Sequence, residues 1–267
     1  MGFHYIWGMK TKSNKTRSES WKNAKLSGHL NEVLVAKSLD GCREVGHKKV
    51  ESVLGRKTPM KPDIVQTLGD ISVNLSLKKS LSGQAHMNKV PVFIKGYEKI
   101  FGEVPKDVTE SLLLTFGGSS SVKKILTNPL YEHENKKIMN TQLRRQTICF
   151  DTFRKYDNTQ FENLIDWMKN NVANLATIVL KTGWASDSNF HAHKLMYNNM
   201  VDENVFENKV FDIDAIIQKS KEQKNKVFPK TKNGGTVINL PFGWLQYHQG
   251  GLQFHHSYSQ VSELFVD

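Results

Sequence analysis

The sequence predicts an α/β domain, a mixed central β-sheet flanked by helices, and three observations predict it. Residues 71 to 78 alternate apolar and polar side chains without a break, which is the period of a strand. Residues 28–39 and 159–175 are rich in apolar side chains over lengths that suit helices, the second at a clear 3.6-residue period. A chain of 267 residues can bury one large core, so residues 28–267 are read as a single domain.

Composition narrows the class of partner. Lys and Arg number 37 against 26 Asp and Glu, a formal net charge of +11 with a sequence pI near 9.5, so the field around the protein attracts polyanions. Two cysteines, Cys42 and Cys149, stand in no metal-ligand or redox spacing, which excludes a disulfide scaffold and a cysteine-based zinc module. No apolar run approaches the ~20 residues of a membrane span, and the first residues lack the apolar centre of a signal peptide. The expectation is a cytoplasmic protein without a membrane partner.

Taken in order, residues 1–27 read as a basic arm. From position 8 onward it carries Lys10, Lys12, Lys15, Arg17, Lys22 and Lys25 against the one acid Glu19, with no apolar period. Such an arm either wraps a phosphate backbone or is a plain solvated terminus. Leu30, Val33, Leu34, Val35, Ala36 and Leu39 then form a short buried helix, with Ser27 as its cap, Gly41 as its stop and Glu32 inside it. Residues 90–102 and 111–116 are apolar enough for helix or strand, and periodicity does not separate the two. Thr159-Gln160-Phe161-Glu162 matches a capping box and opens the second helix. Residues 219–232 form another basic stretch, either a solvated surface or a phosphate contact.

The segment 61–79 is the informative one. Gly69-Asp70 joins two strand-like runs, and the leading glycine supplies the positive φ of a type II′ hairpin turn. In the second run Ile71, Val73, Leu75 and Leu77 face one way, and Ser72, Asn74, Ser76 and Lys78 the other. Pairing Leu68 with Ile71 across the turn brings Asp63 opposite Ser76 and leaves Lys78 a diagonal neighbour, with Cβ atoms about 5 Å and about 7–8 Å apart. A carboxylate and a lysine so placed suit phosphodiester hydrolysis: the carboxylate holds Mg²⁺, and the ammonium positions an attacking hydroxide. The plain alternative is a solvated hairpin face.

A second hairpin is expected at residues 244–256, turning at Gly250-Gly251 and pairing Tyr247 with Phe254, His248 with Gln253, and Gln246 with His255. Its polar face of amides and imidazoles could read bases in a groove, or could be a solvated face over an aromatic core. His191, His193, His255 and His256 raise a zinc site only if the fold gathers them.

Pro62-Asp63, twelve intervening residues and Ser76-Leu77-Lys78 resemble the PD-(D/E)XK nuclease core of type II restriction endonucleases, in the variant whose middle acid is replaced. The resemblance covers residues 28 to 90. It implies a restriction-endonuclease-like core, with Asp63, Ser76, Lys78 and Glu32 as the catalytic set. The implied Mg²⁺ ligands are Asp63, Glu32 from the preceding helix and the Leu77 carbonyl. Because a hydroxyl at 76 is a poorer ligand, either another acid completes the site or Asp63, the Leu77 carbonyl and waters suffice. Lys79, Gln84 and His86 beyond the strand, with Gln246, His248, Gln253 and His255 on the second hairpin, are the expected DNA contacts. The implied activity is cleavage of double-stranded DNA to 5′-phosphate and 3′-hydroxyl ends, by a homodimer on a short palindrome with a cognate methyltransferase as partner. The rivals are a structure-directed nuclease and a DNA-binding protein that does not cut.

Overall fold

The computed structural model describes residues 17–45, 48–201, 209–231 and 234–266. The chain opens with helix α1 (Arg17–Ser38) and strand β1 (Cys42–Glu44), followed by a small hairpin, β2 (Lys49–Glu51) and β3 (Lys57–Pro59). The hairpin β4 (Ile64–Leu68) and β5 (Ile71–Lys78) leads into β6 (Ser82–Asn88). A helical stretch then comprises α2 (Val90–Phe101), α3 (Lys106–Phe116), α4 (Val122–Leu126), α5 (Lys136–Arg145), α6 (Phe150–Tyr156), α7 (Asn158–Asn170) and α8 (Val172–Ala176), closed by a π-helical segment at Thr177–Thr182. After it come β7 (Lys194–Tyr197), β8 (Lys209–Asp212), α9 (Ile213–Glu222), β9 (Phe228–Lys230), β10 (Val237–Leu240), β11 (Gly243–Tyr247), β12 (Leu252–Ser257) and α10 (Tyr258–Glu263).

The architecture is mixed α/β, as expected, but it holds two five-stranded sheets. The first runs β1-β4-β5-β7-β8 and is mixed, since β5 and β7 are parallel and the other pairs antiparallel. A parallel neighbour needs a long crossover, and the helical stretch between β6 and β7 supplies it. The second sheet, β6-β12-β11-β10-β9, is antiparallel throughout. Val35 and Ala36 of α1 pack on Ile64, Leu75, Leu77 and Met196, covering one face of the first sheet. Its other face contributes Leu195 and Tyr197 to the main core, where Phe93, Phe161, Leu245 and Phe254 join the helices to the second sheet.

The β4–β5 hairpin has the expected register: Leu68 pairs with Ile71 and Ile64 with Leu75. Gly69 has φ +60°, as the first centre of a type II′ turn requires. The two-faced reading of β5 needs correction. Asn74 and Ser76 on the polar face are buried, whereas Ile71 near the hairpin tip is 67 % exposed. Burial here follows what covers the strand, not its alternation.

Helix α1 begins at Arg17, so residues 17–27 of the expected arm are helical and Ser27 is no cap. A polar helix carries no apolar stripe for periodicity to detect. Residues 1–16 lie outside the described residues. Gly41 does end the helical region: its φ is +69°, and a Cβ there would stand 2.2 Å from the Thr67 carbonyl oxygen. Residues 90–101 and 106–116 are helices. The cap of α7 is Asp157, whose carboxylate accepts from the Gln160 N–H at 2.8 Å, not Thr159. Phe161, Leu164, Ile165, Met168, Val172 and Leu175 are all buried.

The C-terminal hairpin pairs two residues out of the expected register. Leu245 faces Phe254 and Gln246 faces Gln253, while His248 sits in the turn, its N–H donating to the Gly251 carbonyl at 3.0 Å. The turn centres are Gln249 and Gly250, both with positive φ, which is the type I′ pattern. Gly251 serves a different need: a Cβ there would lie 2.5 Å from the Asn88 carbonyl oxygen of β6. Because the slip is two residues, Leu245, Tyr247 and Phe254 stay on one face and Gln246, Gln253 and His255 on the other, and His248 alone leaves the polar face for the turn. Among the described residues, no helix is long and apolar enough to cross a membrane.

Candidate catalytic and metal-binding site

Asp63 stands one residue before β4, and its N–H donates to the Leu75 carbonyl at 2.8 Å, so the ladder continues to place it beside Ser76. Its Oδ2 accepts from the Leu77 N–H at 2.7 Å and from the Ser76 hydroxyl at 3.4 Å. Lys78 Nζ donates to the same Ser76 Oγ at 3.0 Å. Ser76, 1 % exposed, therefore gives its one proton to the carboxylate and accepts from the ammonium, joining Asp63 to Lys78 without adding a negative charge. Asp63 Oδ1 remains as the oxygen available to a cation. For Leu77, the backbone N–H holds Asp63 and the side chain packs under α1.

Glu32 reaches this place from α1. Its carboxyl is pushed up to about 7 by burial first, then by the charges of Asp63 and Glu44, with Lys78 pulling the other way. Glu32 Oε2 lies 3.3 Å from His29 Nδ1, and His29, Glu32 and Glu44 bring ligand atoms within 4.8 Å of one another. The partly desolvated Glu32 carboxyl, crowded by the charges of Asp63 and the exposed Glu44, belongs to a donor set that a hard divalent cation would relieve. Glu44 arrives because β1 pairs with β4, setting Glu44 opposite Ile64 and the Val45 N–H on the Asp63 carbonyl at 3.1 Å.

The adjacent Asn31 anchors the helix that carries Glu32. It is fully buried, its Nδ2 donates to the Asn198 carbonyl at 2.8 Å and its Oδ1 accepts from the Met200 N–H at 2.7 Å. Asn31→Leu removes a partner from both backbone groups and is expected to cost roughly 2–4 kcal/mol in urea unfolding. A loss under about 1 kcal/mol would show that the anchor is dispensable.

Two further groups lie near the site: Lys61, given no role from sequence, and His256, weighed there only as a zinc ligand. Lys61 Nζ donates to the Ala85 carbonyl at 3.3 Å and is pulled down to about 7 by burial first and then by Lys78, with Asp63 opposing. Its spacing of two from Asp63 was the available signal. His256, 2 % exposed, meets the Tyr197 hydroxyl at 3.2 Å between the two sheets, and burial, then Lys78, His255 and Lys61 hold it neutral down to about 2.

The expected DNA contacts fall in several places. Lys79 donates to Ser27 of α1. Gln84 is exposed, whereas His86 sits edge-on to Trp184 at 5.3 Å, 2.6 Å from Asn88 Nδ2, and burial followed by Lys61 lowers it to about 3. A cleft of about 450 Å³ borders Lys61, Gln84, His86, Asn88 and Arg56. Gln246 and Gln253 bond each other at 2.9 Å, and His255 stacks on Trp244 with ring centroids 4.6 Å apart. His248 lines a separate pocket with Arg56 and Lys89.

The four histidines considered for zinc are not gathered into a common ligand set among the described residues. His193 Nδ1 accepts from the Asn74 N–H at 3.1 Å, His191 bonds the Ala185 carbonyl at 3.2 Å, and His255 and His256 are placed as above. His133, Cys149 and Asp151 do cluster. There His133 Nδ1 accepts from the Asn135 N–H at 3.0 Å, which puts the ring proton on Nε2, the nitrogen 3.8 Å from Asp151. That tautomer suits a bridge to the acid and not a metal ligand.

No family model and no curated protein matches the chain. Among solved structures it is similar to the crystal structure of restriction endonuclease MspI in complex with its cognate DNA, with 16 % identity, 90 % of this chain and 80 % of that chain covered, and a TM-score of 0.42.

Proposed function

We propose that the protein is a Mg²⁺-dependent deoxyribonuclease of the type II restriction class, cutting double-stranded DNA at a short specific sequence to leave 5′-phosphate and 3′-hydroxyl ends. The observation that carries this reading is the Ser76 bridge, which holds the Lys78 ammonium and the Asp63 carboxylate together beside Glu32. Asp63, Glu32 and the Leu77 carbonyl are the proposed ligands of Mg²⁺, and Glu44 is the further acid within reach of Glu32. When bound, Mg²⁺ supplies positive charge against the scissile phosphate and acidifies water. Lys78, fixed by Ser76, orients the attacking water oxygen toward phosphorus and stabilises the negative charge that builds on the phosphoryl oxygens. The new oxygen–phosphorus bond forms as the bond from phosphorus to the 3′ oxygen breaks, the water's proton passes to solvent and the leaving 3′ oxygen takes one from solvent. The net charge of +11 favours the polyanionic substrate. A homodimer on a palindromic site, with a methyltransferase of the same specificity, belongs to the same reading.

The test is incubation of the purified protein with unmethylated plasmid and phage DNA, with Mg²⁺ or with EDTA, read on a gel. Discrete fragments that need Mg²⁺ and carry ligatable 5′-phosphates are expected. Intact DNA across metals, salts and methylation states would overturn the reading, and cleavage confined to branched DNA would replace it with a structure-directed nuclease. Mg²⁺ should also stabilise the fold, by roughly 2.7 kcal/mol at about 100 times its Kd. Thermal unfolding checks this, and an equal gain in Asp63→Asn/Glu32→Gln would remove these carboxylates from the cation site.

A further inference from the structure

Three amides run in series across the second sheet. Trp244 Nε1 donates to Gln246 Oε1 at 3.3 Å, Gln246 Nε2 donates to Gln253 Oε1 at 2.9 Å, and Gln253 Nε2 donates to Gln84 Oε1 at 2.8 Å. They sit on adjacent strands β11, β12 and β6: Gln246 and Gln253 are a ladder pair, and Gln84 reaches Gln253 diagonally from its place opposite His255, across a register shift between Phe254 and His255. A carboxamide has a donor end and an acceptor end, so turning any one would set like against like. The middle amide, Gln253, is only 6 % exposed, where an unpaired polar group is costly. An indole N–H can donate but never accept, so it cannot join a reversed series. The series therefore has one direction, and its last group, the exposed Gln84, has its oxygen engaged and its Nε2 hydrogens turned outward.

Gln84 borders the cleft that also holds Lys61, Lys57 and Arg56. Lys61 in that cleft precedes Asp63 by two residues, so the outward amide shares a cleft with the segment that carries the proposed catalytic carboxylate. In such a cleft the cations serve phosphates, whereas a neutral, rigidly directed donor discriminates among base edges. In the major groove guanine, adenine and thymine each offer an acceptor on their own strand, while cytosine offers only the N4 donor.

Resting on the nuclease reading above, we propose that Gln84 reads a hydrogen-bond acceptor on one DNA base and rejects cytosine there, with the Trp244 indole as the positioning group that keeps Gln84 a donor. Gln84→Glu is the sharpest probe, because one carboxylate oxygen still accepts from Gln253 while the outward group changes from donor to acceptor. Selection of bound duplexes from a randomised pool, with Ca²⁺ replacing Mg²⁺ so that DNA stays intact, reads the preference directly.

The wild type is expected to exclude cytosine at one position by on the order of tenfold or more. Gln84→Glu should turn that single position toward cytosine and leave the others unchanged. Trp244→Phe should let the series reverse and lose the discrimination at that position alone. An unchanged preference in Gln84→Glu, or binding weakened equally for all sequences as a phosphate contact would give, overturns the proposal. A shifted Gln84→Glu with an unchanged, folded Trp244→Phe overturns the role of the indole. A wild type that binds or cuts without selecting any sequence overturns the base reading, and one that neither binds nor cuts DNA overturns the nuclease reading beneath it.

Discussion

Lys78→Ala is expected to reduce cleavage at least 10³-fold, about 4 kcal/mol of transition-state stabilisation, while the protein stays folded and binds its DNA in Ca²⁺. The ammonium is held on the Ser76 hydroxyl at 3.0 Å, and that hydroxyl is shared with Asp63. Removing the lysine takes away the one cationic side chain bonded to that bridge but leaves Asp63 its bond from the Leu77 N–H. Lys78 is half-buried, so water can replace it against Ser76, and the cost in stability should stay within about 1 kcal/mol. Ser76→Ala separates positioning from chemistry. The lysine remains but loses its tether, and a loss of roughly 10- to 100-fold in single-turnover rate is expected. A Lys78→Ala protein that cuts within tenfold of wild type would exclude Lys78 from the reaction, whatever its effect on binding.

The geometry of the candidate site was largely legible because one short segment contains its own register. The two-residue turn at Gly69-Asp70 and the strict alternation after it fix which residues oppose which, and β4 pairs with β5 in that register. The second hairpin lacked such a constraint. Its adjacent glycines offered two turn positions, and the choice between them depends on the close approach of Gly251 to the Asn88 carbonyl, a tertiary contact invisible along the chain. Glu44 was hidden for a related reason, since a three-residue strand has no readable period and its value lies in pairing beside Asp63. The second sheet was equally obscure. Strand β6, Ser-Gly-Gln-Ala-His-Met-Asn, has little β propensity and exists as a strand because β12 supplies its ladder. His256 was weighed only as a zinc ligand and His255 was given the expected polar face, whereas the joint between the two sheets uses His256, the residue that points inward.

That joint leads to a prediction about acid. His86 and His256 are kept neutral, His86 down to about 3 by burial and then Lys61, and His256 down to about 2 by burial, then Lys78, His255 and Lys61. In the unfolded chain both titrate near 6.5. Below that pH the unfolded state binds protons that the folded state refuses, so stability is lost as pH falls from about 6.5 toward the folded values, by about 1.4 kcal/mol per pH unit for each histidine. Glu32 acts in the opposite sense: its carboxyl, raised to about 7, favours the folded state as pH falls from there toward 4.5. The two effects overlap, so the informative comparison is between proteins at matched pH. A His86→Gln/His256→Gln variant cannot take up these protons in either state, and the glutamine at 256 can still bond the Tyr197 hydroxyl. Between pH 7.5 and pH 5, urea unfolding should show the wild type losing about 4 kcal/mol relative to the variant. Parallel profiles would mean that both histidines protonate as freely in the fold as in the open chain. The expected divergence would make the packing between the sheet that carries Asp63 and Lys78 and the glutamine-bearing sheet the acid-sensitive part of the molecule.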